Sequence, residues 1–251
     1  MDKSPALKGK TAKWYAENYY SVEDDIIPIF EKLDTPFLDK RLKPGMKVFD
    51  AMMGRGRHAL RYAKRGCEVW GNDYNPHMVS YARKAAKHLG VKVKLTALDA
   101  TALKGVHSGQ FDAVIAMFSA IGTIPGSKNR QKALDEFARV VKPGGIVIIH
   151  AHNRWDTVLK PMFWNWMVRS YLGTDRKMER GDIISDYNSL EGMFNHFYSP
   201  REFRASFRKA GLDVVEEAYM DYSSKRFLKG PLRKFKADGF IFVGRKTSSS
   251  S

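Results

Sequence analysis

The chain has 251 residues, of which 43% are hydrophobic, 12% aromatic and 28% charged, with a formal net charge of +16. That mixture can bury enough apolar surface to offset chain entropy, which excludes a fibre, a disordered tail protein and a disulfide scaffold, and the length suits one compact domain. The charge anticipates an anionic partner, such as RNA, an acidic membrane surface or a negatively charged small molecule.

Cys67 is the single cysteine, so no intrachain disulfide forms and a reducing compartment is expected. No run approaches the ~20 apolar residues of a membrane span, and the opening MDKSPALKGKTA lacks the apolar segment of a secretory leader. The expectation is a soluble, cytoplasmic protein. Residues 1–45 carry no strong strand pattern but contain Trp14, Tyr15, Tyr19, Tyr20, Ile26, Ile27, Ile29 and Phe30. This predicts one or two helices laid over the domain as a lid.

From residue 46 onward short apolar runs alternate with helical patterns. Strands buried on both faces are expected at 46–51, 68–73, 93–98, 111–118 and 144–152, and helices at 57–66, 76–90 and 128–145. Pro76 suits a first helical turn, and Pro143-Gly144-Gly145 is read as a helix stop. Repeated strand–helix–strand units imply a parallel sheet with helices on both faces. The alternation breaks over 154–198, an aromatic-rich insertion expected to cap the acceptor side. Ser199, Pro200 and Glu202 then open a helix over 199–212, and strands follow at 212–221 and 239–246, seven in all. A loop carrying Lys225, Arg226, Lys229, Arg233, Lys234 and Lys236 joins those last two strands, and it overhangs the sheet's carboxyl rim if 212–221 runs parallel to the sheet. The main domain is placed at 46–247, and the tail Ser248–Ser251 is expected to be disordered.

The sharpest motif is Asp50-Ala51-Met52-Met53-Gly54-Arg55-Gly56-Arg57-His58-Ala59, a strand running through a Gly-x-Gly turn into a helix. Glycines there let backbone approach a ligand and present amides from the helix N-terminus. The same spacing, Gly54-x-Gly56-x-x-Ala59, also satisfies the dinucleotide fingerprint. Asp73 closes the second strand, where a carboxylate can accept from both ribose hydroxyls, and Asp99 closes the third, where it can meet an adenine amino group. Each acid alone reads as a turn residue; three at three consecutive strand ends do not.

With these residues the chain resembles the class I S-adenosylmethionine-dependent methyltransferases over roughly 46–246. The resemblance implies a Rossmann-like, doubly wound, mostly parallel seven-stranded α/β sheet with a final antiparallel strand, and S-adenosyl-L-methionine as cofactor. It implies that Asp50 with Gly54 and Gly56 holds the methionine part, that Ala51 also lines the cofactor site, that Asp73 binds the ribose, and that Asp99 with Ala100 frames the adenine. Tyr74 and Met78 would pack near the adenosine, and Met117 with Phe118 beside the sulfonium. Met52 stands where the family has its first glycine and narrows the room beside the ligand. FDAVIAMFSAIGTIP followed by PGGIVIIHAHNRWDTVL is similar to the glycine and sarcosine N-methyltransferase type.

Methyl transfer is an in-line displacement, so the protein mainly aligns a lone pair, excludes water and, for a protonated acceptor, supplies a base. His152 and Tyr20 are the candidate catalytic groups; Tyr15, Tyr19, Asn153, Arg154, Trp155 and His196 are candidates for holding the acceptor. Arg154 would clamp an anion and Trp155 would stack. His150 and His152 share one face of a strand, but two ligands do not close a metal site. Metal-dependent O-methyltransferases of this fold place an Asp where this chain has Met117-Phe118-Ser119, so no metal is expected. The same stretch lacks the Asn/Asp-Pro-Pro-aromatic motif of amino-directed DNA methyltransferases, and Cys67 precedes the second strand, so DNA is disfavoured. The expected activity is methyl transfer to N or O of a small, anionic molecule. A tRNA acceptor is the alternative, since GMFNHFYSPREFRASFRKAG is similar to wobble-uridine tRNA methyltransferases and the charge suits it. A nicotinamide-dependent oxidoreductase and a non-catalytic binding module are more remote readings.

Overall fold

The computed structural model describes residues 12–18, 20–155, 178–187 and 190–247. Tyr19, most of the 154–198 insertion and the Ser248–Ser251 tail lie outside them, as do the side chains of residues 20–27, 185–187, 190 and 191. Two helices, α1 (Ala12–Asn18) and α2 (Tyr20–Asp39), precede the sheet. The strands are β1 (Lys47–Asp50), β2 (Glu68–Asn72), β3 (Lys94–Thr96), β4 (Phe111–Ala116) and β5 (Val141–His152), then β6 (Asp182–Tyr187), β7 (Leu190–His196), β8 (Leu212–Asp221), β9 (Arg226–Leu228) and β10 (Gly239–Lys246). Helices α3 (Arg57–Lys64), α4 (Pro76–Leu89), α5 (Ser127–Val140), α6 (Pro200–Lys209) and the short α7 (Arg233–Lys236) connect them.

The main sheet runs β3-β2-β1-β4-β5-β10-β8-β9. The first five strands are parallel; β10 is antiparallel to both neighbours, so β8 runs with the parallel set. The sheet therefore has eight strands, not the seven expected, because Arg226–Leu228 pairs back onto the open edge of β8. A separate antiparallel hairpin, β6–β7, stands where the sequence was read only as an insertion. The other expected strands and helices are present with boundaries moved by a few residues. The largest shift is at α5: the helix ends at Val140, and Val141 already belongs to β5, both valines being fully buried. Pro143-Gly144-Gly145 thus sits within the strand's irregular start rather than stopping the helix.

Apolar residues cover both faces of the sheet. One cluster joins Phe49, Phe111, Val114, Phe137, Phe203 and Phe242; the other joins Val48, Ile115, Ile148 and Met220 to Leu33, Phe37 and Leu38 of α2. The N-terminal helix is thereby bound to the domain by its own apolar stripe. Local signals set the helix ends: Asn75 Oδ1 accepts from the His77 amide at 3.0 Å with Pro76 at the first position, and Ser199 and Glu202 form a reciprocal capping box. Among the described residues no helix is long and apolar enough to cross a membrane.

Candidate active site

The carboxyl ends of β1 to β5 carry the motif residues together, the place where open parallel sheets bind ligands. Asp50 ends β1 almost fully buried, and its Oδ2 accepts from the Ala59 amide at 3.1 Å. Burial pushes its carboxyl up to about 7, because ionisation there is poorly solvated and one amide does not offset the loss. Gly54 and Gly56 hold left-handed φ angles of +55° and +88°. A Cβ on Gly54 would meet nothing within 4 Å, so the loop presents open space there, whereas one on Gly56 would press on Ala82 Cβ at 3.1 Å.

Asp73 accepts from the amides of Gly54 and Asn75, each at 2.9 Å. Although the residue is half-buried, desolvation of its carboxyl under the glycine loop pushes it up to about 6 against those two donors. Asp99 is exposed and folds onto Thr101, whose amide and hydroxyl donate at 2.8 and 2.7 Å. Asn72, which the sequence reading passed over, is buried and ties these ends together. Its Nδ2 donates to the carbonyls of Ala51 and Leu98, and its Oδ1 accepts from the Leu98 amide and the Thr96 hydroxyl. The available signal was a polar residue closing the run Val69-Trp70-Gly71 at the end of the second strand. Ala51, Met78, Ala100 and Met117 are buried around the loop, and Tyr74 is exposed. Met52 packs against the Phe49 core cluster, so its side chain is accommodated by the core.

The N-terminal helices close over this region. The Asn75 amide group donates to the Ala12 carbonyl at 2.8 Å, Arg55 donates to the Ala16 carbonyl, and the Arg55 guanidinium lies 4.3 Å from the Tyr81 ring. Asp34 of α2 receives both arms of Arg57, at 2.7 and 3.2 Å, and faces His58 Nε2 at 3.2 Å. Burial opposes ionisation of Asp34, but His58 and the Arg57 guanidinium hold its carboxyl well below the usual carboxylate range. Tyr15 is half-buried on α1, and Tyr20 lies in α2.

Beyond β4 the backbone takes two consecutive left-handed residues, Phe118 (φ 59°) and Ser119 (φ 53°). Such conformations cost of order 1–3 kcal/mol each and mark functional turns. They aim the Ser119 amide at His150 Nδ1 (3.1 Å) and let Ser119 Oγ accept from the His152 amide (3.1 Å). Tyr222, from the end of β8, brings its hydroxyl to 2.7 Å from His150 Nε2 and 3.1 Å from His152 Nδ1. Phe30 of α2 packs against Phe118, His150 and Tyr222 at centroid distances of 4.9, 5.3 and 5.2 Å. Burial, with His152 beside it, drives the His150 imidazole well below its ordinary value, so it is neutral.

Three residues expected to hold the acceptor are engaged in the framework instead. Asn153 is fully buried and donates to the carbonyls of Lys234 and Ala237 at 3.0 and 2.8 Å, fastening the basic loop to β5. His196 is buried with Nδ1 2.6 Å from Asp182 and Nε2 2.8 Å from Glu202. Arg154 donates to the Arg180 carbonyl at 3.0 Å and approaches Glu202 at 3.4 Å. Each takes a polar partner from another segment of the chain, which sequence position alone does not reveal. Trp155 packs edge-on against Phe235, centroids 5.7 Å apart. Glu179, Asp182 and His196 offer atoms within 4.8 Å of one another, but Arg130 pairs with Glu179 and lies 3.8 Å from Asp182, already supplying positive charge.

The glycine loop with open space beside Gly54, and acids at the carboxyl ends of the first three strands, define a Rossmann-like nucleoside-cofactor fold of the methyltransferase kind. A family model described as a methyltransferase domain matches residues 48–145, and the ubiquinone/menaquinone biosynthesis C-methyltransferase UbiE of Bordetella parapertussis is 30% identical over 178 residues, 70% of this chain and 66% of that protein. The chain belongs to the class I S-adenosylmethionine-dependent methyltransferases. A glycine/sarcosine N-methyltransferase of Parasynechococcus marenigrum is 30% identical over 113 residues, 45% of this chain and 40% of that protein. The chain thus spans 66% and 40% of the lengths of these two relatives. Among solved structures, a SAM-dependent methyltransferase of Methanosarcina mazei has a TM-score of 0.69 at 19% identity, covering 84% of this chain and 97% of that one. The donor set fits the cofactor: buried carboxyls for a cationic, hydroxyl-rich ligand and a backbone cradle with space beside it.

Proposed function

We propose that the protein transfers a methyl group from S-adenosylmethionine to nitrogen or oxygen of a small, anionic molecule. The observation that carries this reading is the position of the His152–Tyr222–His150 group at the carboxyl end of β5, next to Phe118 and on the rim shared with the glycine loop. When bound, the cofactor supplies an activated methyl. Asp50, Ala51, Gly54 and Gly56 would seat its methionine part and Asp73 its ribose; Asp99, Ala100, Tyr74 and Met78 would flank the adenine, with Met117 and Phe118 beside the reacting centre. His152 would take the acceptor's proton, with Tyr15 of the N-terminal lid and Trp155 walling the site; Tyr19 and the Tyr20 side chain lie outside the described residues. The relatives are named for carbon and nitrogen methylation of small molecules, which supports a small acceptor, and the glycine/sarcosine relative supports nitrogen.

The exposed cations Lys225, Arg226, Lys229, Arg233, Lys234 and Lys236 support an anionic acceptor. The same loop exposes Leu232 and Phe235, and cations interleaved with apolar and aromatic groups support the second reading, a tRNA acceptor. Calorimetric titration with S-adenosylhomocysteine tests the cofactor site. Transfer of labelled methyl to amino acids, phenolic acids and bulk tRNA at low and high salt then separates the acceptors. Salt-sensitive labelling of tRNA alone favours RNA; absence of S-adenosylhomocysteine binding refutes the methyltransferase reading.

A further inference from the structure

The three side chains at the end of β5 form an ordered hydrogen-bond sequence whose direction is fixed at one end. A backbone N–H only donates, so His150 Nδ1, facing the Ser119 amide at 3.1 Å, is an acceptor without a proton. The His150 proton therefore sits on Nε2 and points to the Tyr222 oxygen 2.7 Å away. A phenolic hydroxyl has lone pairs to receive and one hydrogen to give. It can give that hydrogen to His152 Nδ1, 3.1 Å off, or receive Nδ1–H from the tautomer that leaves Nε2 of His152 as a lone pair. His152 thus keeps a partner on Nδ1 in either tautomer and in the imidazolium form.

Three separate features of the fold serve this arrangement. The left-handed pair Phe118-Ser119 delivers the fixing amide. Asp238 Oδ2 accepts from the Tyr222 amide at 2.6 Å and sets where that side chain departs. Gly239 leaves the space: a Cβ there would fall 2.0 Å from the Tyr222 hydroxyl and 2.8 Å from His150 Nε2. The residue of β10 that faces the hydroxyl has to lack a side chain. Of the three rings, His150 is fully buried while Tyr222 and His152 are half-buried, and the Tyr222 hydroxyl is occupied between the two imidazoles.

We propose that His150, Tyr222 and His152 form a proton-accepting relay in which Tyr222 is the positioning residue and His152 receives the proton of the methyl acceptor, so the acceptor belongs to the class that must shed a proton, an ammonium or an acidic hydroxyl. This rests on the methyltransferase reading above. The proton leaves the acceptor heteroatom for His152 Nε2, the heteroatom keeps the electron pair of its bond to hydrogen, and the imidazolium later discharges to water. Among the described residues, the groups that face the relay include Phe30 of α2, Phe118 and Ser119 after β4, Phe197 after β7 and Asp238 before β10, with Asp34 and Arg57 acting on His150 through space.

The test is long-range nitrogen NMR of the histidine rings in the full chain with S-adenosylhomocysteine, comparing wild type with Tyr222→Phe and Gly239→Ala. In wild type His150 is expected as the neutral Nε2–H tautomer from about pH 5 to 8. In both folded variants the His152 midpoint is expected to move by about half a pH unit or more, roughly threefold in proton affinity, with S-adenosylhomocysteine affinity within about twofold of wild type. Gly239→Ala removes no titratable group, so a shift there reports displacement of the Tyr222–His150 pair; if that variant fails to fold, Tyr222→Phe decides alone. A protonated His150 Nδ1 in wild type, or an unmoved His152 midpoint in the folded variants, overturns the relay. Loss of S-adenosylhomocysteine binding in wild type overturns the methyltransferase reading instead, a result the ring tautomers do not influence.

Discussion

The glycine loop offers two substitutions that look alike in sequence and differ in physics. Gly54 has φ +55° with nothing within 4 Å of a would-be Cβ, so Gly54→Ala pays only for a left-handed L-residue, about 1–2 kcal/mol. In a chain of this size that lowers Tm by about 2–8 °C. The added methyl projects into the space beside the loop, however, and crowding a ligand there costs about 1–3 kcal/mol, roughly 5- to 150-fold in Kd. Gly56 has φ +88° and Ala82 Cβ at 3.1 Å, so Gly56→Ala adds an overpacking cost between α3 and α4 to the backbone strain, together about 2–5 kcal/mol of stability. Thermal melts and calorimetric titration with S-adenosylhomocysteine on both variants separate the effects. Gly54→Ala should be the better folded and the poorer binder relative to its stability loss. A Gly54→Ala protein that binds like wild type, or one as unstable as Gly56→Ala, refutes the assignment of the open space to the cofactor.

Cofactor affinity should fall as pH drops. The free-protein carboxyls of Asp50 and Asp73 stand at about 7 and about 6, and a hydroxyl-donating, cationic ligand favours their charged forms. Binding is therefore tightest above about pH 7 and weakens by up to about tenfold per unit per group as pH falls through those values; a flat Kd between about pH 8 and 5.5 sinks this reasoning. Asp34→Ala leaves Arg57 and buried His58 without their shared carboxylate and should cost about 3 kcal/mol, read as a lower Tm. Because the Asp34 carboxyl is held low in the fold, its contribution is present above the unfolded carboxylate's range and lost as pH falls below it. The variant should accordingly lose less stability than wild type on acidification below about pH 4. Asn153→Ala withdraws the donors for the Lys234 and Ala237 carbonyls, a loss of about 1–3 kcal/mol, and hydrogen exchange should rise selectively across 225–238; unchanged exchange there means another contact holds the loop.

Most of the scaffold is legible locally. The apolar runs at β1 to β5, the Asn75-Pro76 start of α4 and the Ser199–Glu202 box carry their conformations in nearest-neighbour chemistry, so their reading needs no partner. The same holds for Asp50, Gly54, Gly56, Asp73 and Asp99, because a parallel sheet brings successive strand ends to one rim by topology alone. The hairpin β6–β7 has a local signal, strand-like runs on either side of Asn188-Ser189, within the stretch expected only as a cap.

Where the site depends on pairing between distant segments, sequence order is silent. His150 and His152 are legible as neighbours on one face, but Tyr222 joins them only because β10 lies antiparallel between β5 and β8, turning β8 to run with the parallel set and end on the same rim. The same cross-sheet placement puts Gly239 against the Tyr222 hydroxyl, carries Asn153 to the carbonyls of the basic loop, and encloses His196 between Asp182 and Glu202. Polar side chains in a folding core must find partners wherever the packed chain brings a donor or acceptor within reach. The amino-acid sequence by itself determined the parallel sheet, its carboxyl rim and the chemistry available there; which histidine stands half-buried at that rim and which is enclosed between carboxylates was decided by contacts with residues 6 to 72 positions away, since only the folded chain matches each donor to its acceptor.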